Sequence, residues 1–354
     1  MAKKLKPQRK NRNMTKSQNT KEKKTKLIIS LGDPAGIGTE ITLKALGSKR
    51  LNKNIKPLLV GCENNIHETY SKLIKHGIDN IPDPNKLDII DIPLENKVIP
   101  GIVDKYSGSA SFKWLVNATN ILSEGKANAL VTAPISKIAW HKAGHKFAGQ
   151  TDLLGKLTNK QTSMLFTAIS PNNGWRFNTL LATTHIPLNK INNTLTKALI
   201  RHKLDTLLSF CRKFKEKPSI QIAGLNPHAG EEGKIGIEEQ NLIIPILNEW
   251  KLDNPSIKIS GPIPPDTCWI SSGNAWNAAS SQNNAPDGIL ALYHDQGLIP
   301  VKLIAFDEAV NTTLGLPFVR TSPDHGTALD IAGKFKAREK SMIAAMNNAW
   351  LLSQ

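Results

Sequence analysis

Paired cysteines and long hydrophobic runs are both missing from this 354-residue sequence. The three cysteines, Cys62, Cys211 and Cys268, are scattered and form no CxxC pair. This pattern argues against a disulfide scaffold and a cysteine zinc site, and it favours a reducing compartment such as the cytoplasm. No apolar run approaches the roughly 18 residues that a membrane-spanning helix needs. We therefore expect a cytoplasmic protein that neither spans a membrane nor binds to one.

Acidic residues are scarce at the amino terminus, where basic residues are concentrated. The chain carries a formal net charge of +17, and residues 1–26 hold eleven Lys or Arg against one Glu. This segment is poor in apolar residues and lacks the hydrophobic stretch of a secretory signal, so we predict a disordered tail over 1–26. The remaining sequence is only mildly basic, which suits a small anionic substrate as well as RNA.

Short apolar runs alternate with helix-length amphipathic stretches from residue 27 onward. Many of the runs are almost continuously apolar, as in strands that are covered on both faces. The alternation predicts an α/β fold with a largely parallel sheet. We predict strands over 27–31, 57–61, 87–92, 128–135, 163–169, 177–185, 219–225, 257–263 and 287–294. We predict helices over 39–49, 64–76, 109–124, 190–215, 238–251 and 338–352.

Four of the predicted strands run into polar or glycine-rich clusters, which are GDPAGIG (32–38), His185, NPHAG (226–230) and HDQG (294–297). In open α/β sheets the ligand crevice lies beyond the carboxyl ends of the strands, so we expect a site there. GDPAGIG precedes a predicted helix with Thr39 as a candidate cap, and it is either an anion-binding helix start or an ordinary glycine turn. It lacks the spacing and the acidic partner of GxGxxG, which argues against a Rossmann site.

Three histidines, His185, His228 and His294, stand at or just after predicted strand ends. They are too far apart in sequence to form a local metal motif, so the fold would have to assemble them. Three imidazoles with an open position are typical of catalytic sites for zinc, cobalt or a similar divalent ion. The alternative is that each is a hydrogen-bonded structural residue.

Basic and polar residues also gather late in the chain, at Lys302, Asn311 and Arg320. Arg offers a bidentate fork to phosphate or carboxylate, Lys a point charge and Asn a neutral donor. The sequence leaves open whether these residues bind an anion or lie on a solvated strand edge.

Seven segments follow one another along the chain: GDPAGIGTEI (32–41), VTAPISK (131–137), LATTHIPL (181–188), GLNPHAGE (224–231), GPIPPDT (261–267), YHDQGLIPVK (293–302) and VNTTLGLPFVRTSPDHGTALDIAGK (310–334). Taken together and in this order, they resemble the 4-hydroxythreonine-4-phosphate dehydrogenase family, NAD-dependent enzymes of pyridoxal phosphate biosynthesis. The resemblance extends from about Lys26 to the carboxyl terminus and leaves the basic tail outside.

The resemblance implies a fold like that of isocitrate and isopropylmalate dehydrogenases, with two α/β domains flanking a cleft and a non-Rossmann cofactor site. We place the first domain at 27–145 plus 315–354, and the second, which carries the metal and dimer contacts, at 146–314. The segment HGTALDIAGK (325–334) is similar to the one that holds the adenosine part of the cofactor. NAD is therefore expected to bind at His325, Gly326, Thr327 and Asp330.

The resemblance also implies a set of site residues. The family's metal ligands match His185, His228 and His294, contributed by both subunits of a homodimer, and the ion is zinc, cobalt, manganese or magnesium. Its substrate-binding residues match Lys302, Asn311, Arg320 and the pair Gln150–Thr151. Gln150 is a departure, because the family has His there, and an amide neither takes up a proton nor carries a charge.

The implied reaction is oxidation of 4-phosphooxy-L-threonine to 2-amino-3-oxo-4-phosphooxybutanoate, which decarboxylates to 3-amino-2-oxopropyl phosphate. Lys302 is the candidate for charge stabilisation or proton delivery, and Asp295 is the candidate to orient His294. One alternative is a dehydrogenase of another phosphorylated hydroxy acid, such as a four-carbon sugar-acid phosphate. Another is an RNA- or membrane-associating protein with a vestigial enzyme body, which the near-complete match of site residues disfavours.

Overall fold

A computed structural model describes residues 24–277 and 284–354 of the chain. The strands are β1 (Thr25–Ser30), β2 (Ile55–Gly61), β3 (Asp88–Asp91), β4 (Ala129–Thr132), β5 (Ser163–Ile169), β6 (Arg176–Leu181), β7 (Ser219–Ala223), β8 (Lys258–Ile263), β9 (Gly288–Ala291), β10 (Val310–Leu314) and β11 (Val319–Pro323). The helices are α1 (Gly38–Leu46), α2 (Glu63–Lys75), α3 (Lys105–Ser123), α4 (Lys137–Lys142), α5 (Gln150–Thr158), α6 (Leu188–Thr194), α7 (Lys197–Cys211), α8 (Ile244–Asp253), α9 (Ile270–Trp276), α10 (His294–Ala305) and α11 (Lys340–Leu352).

These strands form one sheet in the order β3-β2-β1-β4-β11-β10-β5-β6-β9-β7-β8. Its pairs are parallel except at the centre, where β10 runs antiparallel to β11 and β5, and β5 runs antiparallel to β6. The predicted α/β class with a largely parallel sheet is confirmed. The antiparallel centre arises because β10 and β11 are joined by a tight turn, in which Gly315 has a φ of 91°.

Helices cover both faces of the sheet, which explains the continuous apolar runs. Leu27, Ile28 and Ile29 are successive residues of β1, and all three are fully buried. One apolar core surrounds β1, β2 and β4, and two others lie around β5, β6, β7 and β9. The predicted two-domain division at residues 145/146 and 314/315 stays a prediction.

Several predicted boundaries are wrong. The helix predicted over 190–215 is two helices, α6 and α7, because Thr196 caps the second one by accepting a bond from the Leu199 N–H at 3.2 Å. The strands predicted to end at 135, 185 and 294 stop at Thr132, Leu181 and Ala291, and their last residues form loops.

The predicted disordered tail also ends too late. Thr25 and Lys26 belong to β1, where the Thr25 N–H donates to the Asn54 carbonyl oxygen at 2.8 Å. Residues 1–23, which carry the rest of that prediction, lie outside the described residues. Among the residues that are described, no helix is long and apolar enough to cross a bilayer.

Candidate active site

A cavity of about 740 Å³ opens where β4, β6, β10 and β11 meet the helices α5 and α10. It gathers residues that are more than 170 positions apart in the sequence. Among its walls are nine of the predicted site residues: Gln150, Thr151, His185, His294, Lys302, Asn311, Arg320, His325 and Gly326. Of the four polar clusters at predicted strand ends, two contribute to this cavity, through His185 and His294, whereas 32–38 and 226–230 contribute no lining residue.

Arg320 sits on the central strand β11 and is only 3% exposed. Its Nη2 donates to Oγ1 of Thr132 and to Oε1 of Gln150, both at 2.6 Å, and its Nη1 donates to Oγ1 of Thr313 at 2.9 Å. Nη1 also lies 3.5 Å from Oγ1 of Thr151, and all four partners are neutral. Burial without a counter-charge lowers the pKa of the Arg320 guanidinium to about 9, so it stays positive at neutral pH.

Buried polar atoms without a protein partner cluster on this cavity. They include Nε of Arg320, Oδ1 of Asn311 and Nε2 of His325. A buried polar atom that makes no hydrogen bond costs about 1–3 kcal/mol. This cavity is therefore built to be completed by a polar ligand, and the unpaired guanidinium makes an anion the ligand of choice.

Lys302 faces the same cavity but has an acidic partner that the sequence reasoning missed. Its Nζ donates to Oδ2 of Asp324 at 2.8 Å and to the Asp324 carbonyl oxygen at 3.1 Å. Burial raises the pKa of Asp324, and the Lys302 charge opposes that effect. Asp324 directly precedes the predicted cofactor segment HGTALD (325–330), and this position could have identified it as a site residue.

His185 and His294 form a pair at the carboxyl ends of the neighbouring strands β6 and β9. Their ring centroids are 5.4 Å apart. Burial lowers the pKa of His185, and the charge of Lys137, a second cavity residue that was missed, adds to the effect. The neutral imidazole is the form that binds metals.

Asp295 provides the orienting contact that was proposed for His294. Its Oδ1 lies 2.7 Å from Nδ1 of His294. Such a contact fixes the ring orientation and leaves Nε2 as the available nitrogen.

His228 does not join the other two histidines. In the described part of the chain no group of three His, Cys, Asp or Glu side chains is placed to hold a metal. His228 is exposed, on a turn after β7 whose residues 228–232 all have positive φ. The buried carboxylate of Glu239 holds this turn by accepting from the N–H groups of Leu225 and Asn226 at 2.7 and 2.8 Å. Left-handed backbone at non-glycine residues is costly and tends to occur at functional sites.

For GDPAGIG (32–38) the structure favours the glycine-turn interpretation over the anion-binding one. Its N–H groups donate to protein oxygens: Asp33 to Pro134, Ala35 and Gly36 to Asp33, and Ile37 to Thr327. The candidate cap Thr39 is wrong, because Ile37 occupies the cap position and Oγ1 of Thr39 donates to Asn65 instead.

The turn packs against the predicted cofactor segment. A Cβ on Gly36 would lie 2.9 Å from Cβ of Thr327, so only glycine allows this approach. Thr327 is buried by the contact, whereas Asp330 is exposed. His325 and Gly326 reach the cavity, and the space beside Gly326 is open.

The fold is α/β, and a cavity with a histidine pair and a buried arginine, at the carboxyl ends of its largely parallel sheet, suits a small anionic ligand. Residues 46–349 match the family model described as pyridoxal phosphate biosynthetic protein PdxA. The chain belongs to this family.

Two named relatives and a solved crystal structure also support membership of this family. The chain is 51% identical over 326 residues to a 4-hydroxythreonine-4-phosphate dehydrogenase of Synechococcus sp. strain RCC307, covering 92% of this chain and 98% of the relative. It is 35% identical to a D-threonate 4-phosphate dehydrogenase of Pectobacterium atrosepticum, covering 92% and 99%. A crystal structure of 4-hydroxythreonine-4-phosphate dehydrogenase from Klebsiella pneumoniae matches with a TM-score of 0.77 and 32% identity, covering 94% and 98%.

Proposed function

We propose that this protein oxidises 4-phosphooxy-L-threonine with NAD in the biosynthesis of pyridoxal phosphate. The product, 2-amino-3-oxo-4-phosphooxybutanoate, is a β-keto acid that loses CO2 to give 3-amino-2-oxopropyl phosphate. The observation that carries the proposal is the buried Arg320 on the cavity wall, whose hydrogen-bond partners are all uncharged, because a phosphate or carboxylate would supply the counter-charge. The named relatives at up to 51% identity support the choice of substrate.

Substrate binding is assigned to the neutral and cationic groups around Arg320. Its guanidinium and the side chain of Asn311 hold the phosphate or the carboxylate, which would satisfy Nε of Arg320. Thr151 contributes a hydroxyl, since its Oγ1 lies 3.3 Å from that of Thr313 at the same cavity wall.

Proton handling is assigned to Lys302 and Asp324. Loss of CO2 leaves electrons on the adjacent carbon, and that carbon must take up a proton. Lys302 Nζ lies on the cavity wall and is held by the Asp324 carboxylate at 2.8 Å, so it is positioned to stabilise this charge and deliver the proton.

A divalent ion fits the imidazoles of His185 and His294. The two rings lie together on the cavity wall, and Asp295 orients one of them. Such an ion, when bound, supplies a Lewis acid that lowers the pKa of the substrate alcohol. His228 is exposed, does not line this cavity and forms no three-ligand group with the other two among the described residues, so we assign it to the site of the second subunit of a homodimer.

Nicotinamide cofactor binding is assigned to His325, Gly326, Thr327 and Asp330. The unpartnered Nε2 of His325 and the open face of Gly326 fit a ligand that passes from this segment into the cavity. NAD, when bound, accepts the hydride that leaves the carbinol carbon.

A second candidate substrate is D-threonate 4-phosphate or a similar four-carbon acid. The Pectobacterium relative at 35% identity favours it, and the Gln150 departure alters the substrate cavity itself. 4-Phosphooxy-L-threonine carries an amino group where D-threonate 4-phosphate carries a hydroxyl. Comparing the turnover of the two substrates therefore decides between the two candidate functions.

The test is NADH formation by metal-stripped protein given NAD and either substrate, before and after zinc or cobalt is added. We expect metal-dependent turnover of 4-phosphooxy-L-threonine, with a higher kcat/KM than for D-threonate 4-phosphate. Preference for D-threonate 4-phosphate would transfer the assignment to the second candidate. No turnover of either substrate by folded protein would overturn the proposal.

A further inference from the structure

Gln150 is bonded to the protein at both ends of its side-chain amide. Its Nε2 donates to the carbonyl oxygen of Ala133 at 2.9 Å, and its Oε1 accepts from Nη2 of Arg320 at 2.6 Å. Ala133 directly follows β4, so the amide connects the guanidinium to the carboxyl end of that strand. Both polar atoms of the Gln150 side chain are thus bonded to protein groups, so its main contact is with Arg320, and any contact with the substrate is secondary.

We infer that Gln150 is a positioning residue, a neutral acceptor that fixes the Arg320 guanidinium for anion binding without cancelling its charge. The inference rests on the proposed function for the identity of the anion. A carboxylate at this place would form an ion pair with Arg320 and compete with the ligand. An apolar side chain at position 150 would remove one of the two acceptors of Arg320 Nη2, and the guanidinium would then be free to move.

The other partners of Arg320 follow the same principle. Nη2 also bonds to Thr132 and Nη1 to Thr313, and both acceptors are uncharged hydroxyls from neighbouring strands. Three neutral acceptors at 2.6–2.9 Å, and the Thr151 hydroxyl at 3.5 Å from Nη1, thus set the orientation of the guanidinium, and Nε has no acceptor. A cation held in place but not neutralised is what a site for a phosphate or carboxylate requires.

This role explains how glutamine replaces the histidine that the family resemblance implies at position 150. The place requires one acceptor towards Arg320 and one donor towards the Ala133 carbonyl oxygen. A neutral imidazole offers an acceptor nitrogen and a donor N–H on opposite sides of its ring, so both residues meet the requirement. On this account proton transfer at position 150 is not needed for the reaction.

The inference is tested by titrating the full-length protein with inorganic phosphate in a calorimeter at pH 8. The variants are Gln150→Glu, Gln150→Met and Gln150→His, with Arg320→Ala as the reference for loss of the site. We expect the Kd for phosphate to rise at least about tenfold for the Glu and Met variants, since hydrogen bonds to charged groups are worth about 1.5–3 kcal/mol. The His variant, mostly neutral at this pH, should stay within about threefold of the wild type.

Gln161→Glu is the matched control, because it adds the same charge at an exposed glutamine outside the cavity lining. It should leave phosphate affinity unchanged. The Glu and His variants keep the comparison intact if Gln150→Met does not fold. Wild-type affinity in Gln150→Glu, or a His variant as weak as Gln150→Glu, would overturn the inference.

Turnover gives an independent measure with 4-phosphooxy-L-threonine as the substrate. A positioning role predicts that Gln150→Glu raises KM for this substrate much more than it lowers kcat at saturation, and that Gln150→His restores KM. An equal loss of kcat in the Glu and His variants would overturn the inference in favour of direct participation. Failure of the proposed function would look different, because wild-type protein would bind phosphate through Arg320 yet form no NADH.

Discussion

At the scale of single residues, two of the cations that line the cavity, Arg320 and Lys302, have opposite surroundings. Arg320 is buried among hydroxyls and an amide and has no acidic partner, whereas Lys302 is paired with Asp324. An unpaired, fixed charge suits binding, and a cation with a buried carboxylate beside it suits proton handling. This difference assigns the first residue to substrate affinity and the second to the chemical step.

Removal of the Arg320 side chain should therefore affect the phosphorylated substrate alone. We expect Arg320→Ala to raise KM for 4-phosphooxy-L-threonine by about 100-fold, since the buried positive charge and its charge-assisted hydrogen bond to the ligand are lost, and to leave KM for NAD within about threefold. Steady-state kinetics with each substrate varied in turn measure both constants. Equal increases in the two KM values would contradict the assignment.

Arg176→Ala is the control for this experiment. Arg176 is a partly buried arginine, whose Nη1 donates to Thr167 and Asn348 outside the cavity. Its replacement should lower the melting temperature and leave both KM values unchanged.

Asp324→Asn should impair the chemical step more than substrate binding. The amide keeps a hydrogen-bond acceptor near Lys302 but removes the charge that holds its ammonium group. We expect kcat to fall by about 100-fold, the lower end of what general acid–base catalysis typically contributes, with a smaller change in KM. A variant with wild-type kcat would exclude Asp324 from the proton path.

The sequence located part of this site because of where strands end. His185 and His294 follow neighbouring parallel strands, so the strand-end rule predicted their proximity correctly. His228 also follows a strand, but it is exposed on a left-handed turn at 228–232 and does not line the cavity of its own chain. Positive φ at residues other than glycine has no reliable signal in a single sequence.

At the scale of helices and strands, the sequence predicted the segments whose buried residues form an apolar pattern, and it missed segments in which polar residues, Gly or Pro interrupt that pattern. All nine predicted strands exist, since parallel strands covered on both faces read as apolar runs. The strands β10 (VNTTL) and β11 (VRTSP) were missed because their hydroxyls and Arg320 serve the cavity and interrupt the apolar pattern. The helix α10 was missed as well, because it contains Gly297 and Pro300, which normally argue against a helix.

The packing of α7 on β5 contains a buried charge with a measurable pH signature. Lys203 is 6% exposed, and its Nζ donates to Oγ of Ser163 at 2.7 Å. Burial lowers the pKa of Lys203 from 10.5 to about 8. Between those pH values the unfolded chain binds more protons than the folded one, so the free energy of unfolding rises with pH there.

Lys203→Met should remove that rise. Urea unfolding at pH 7.5 and pH 9.5 should show the wild type gaining about 1–2 kcal/mol relative to the variant, given 1.36 kcal/mol for each pKa unit. The variant should also be more stable than the wild type at pH 7.5, where the buried ammonium is still charged. The same pH dependence in both proteins would show that Lys203 has an ordinary pKa.

At the scale of the whole molecule, the histidine set predicts cooperation between two chains. If His228 serves the partner's site, His228→Ala and His185→Ala destroy different halves of a shared centre. Each variant alone should be inactive. A refolded equal mixture should recover roughly a quarter of wild-type activity, because half of the dimers are mixed and each mixed dimer has one intact site.

Recovered activity would be measured as NADH formation against the wild type at equal chain concentration. A mixture of His185→Ala and His294→Ala is the control, because these two residues lie in one chain's cavity and should not complement each other. Absence of recovery in the first mixture, or full activity of His228→Ala alone, would contradict a shared site.

Because the protein gives Arg320 only uncharged partners, an anion bound there would affect how long the protein survives in the cell. Its partners come from β4, α5 and β10, so an anion bound there links segments from residue 132 to residue 320 at the middle of the sheet. A ligand that binds only the folded chain stabilises it by about 2.7 kcal/mol at 100 times its Kd. Cells that run short of the phosphorylated substrate would then hold this enzyme in its least stable form, and its turnover by proteases would follow metabolite supply.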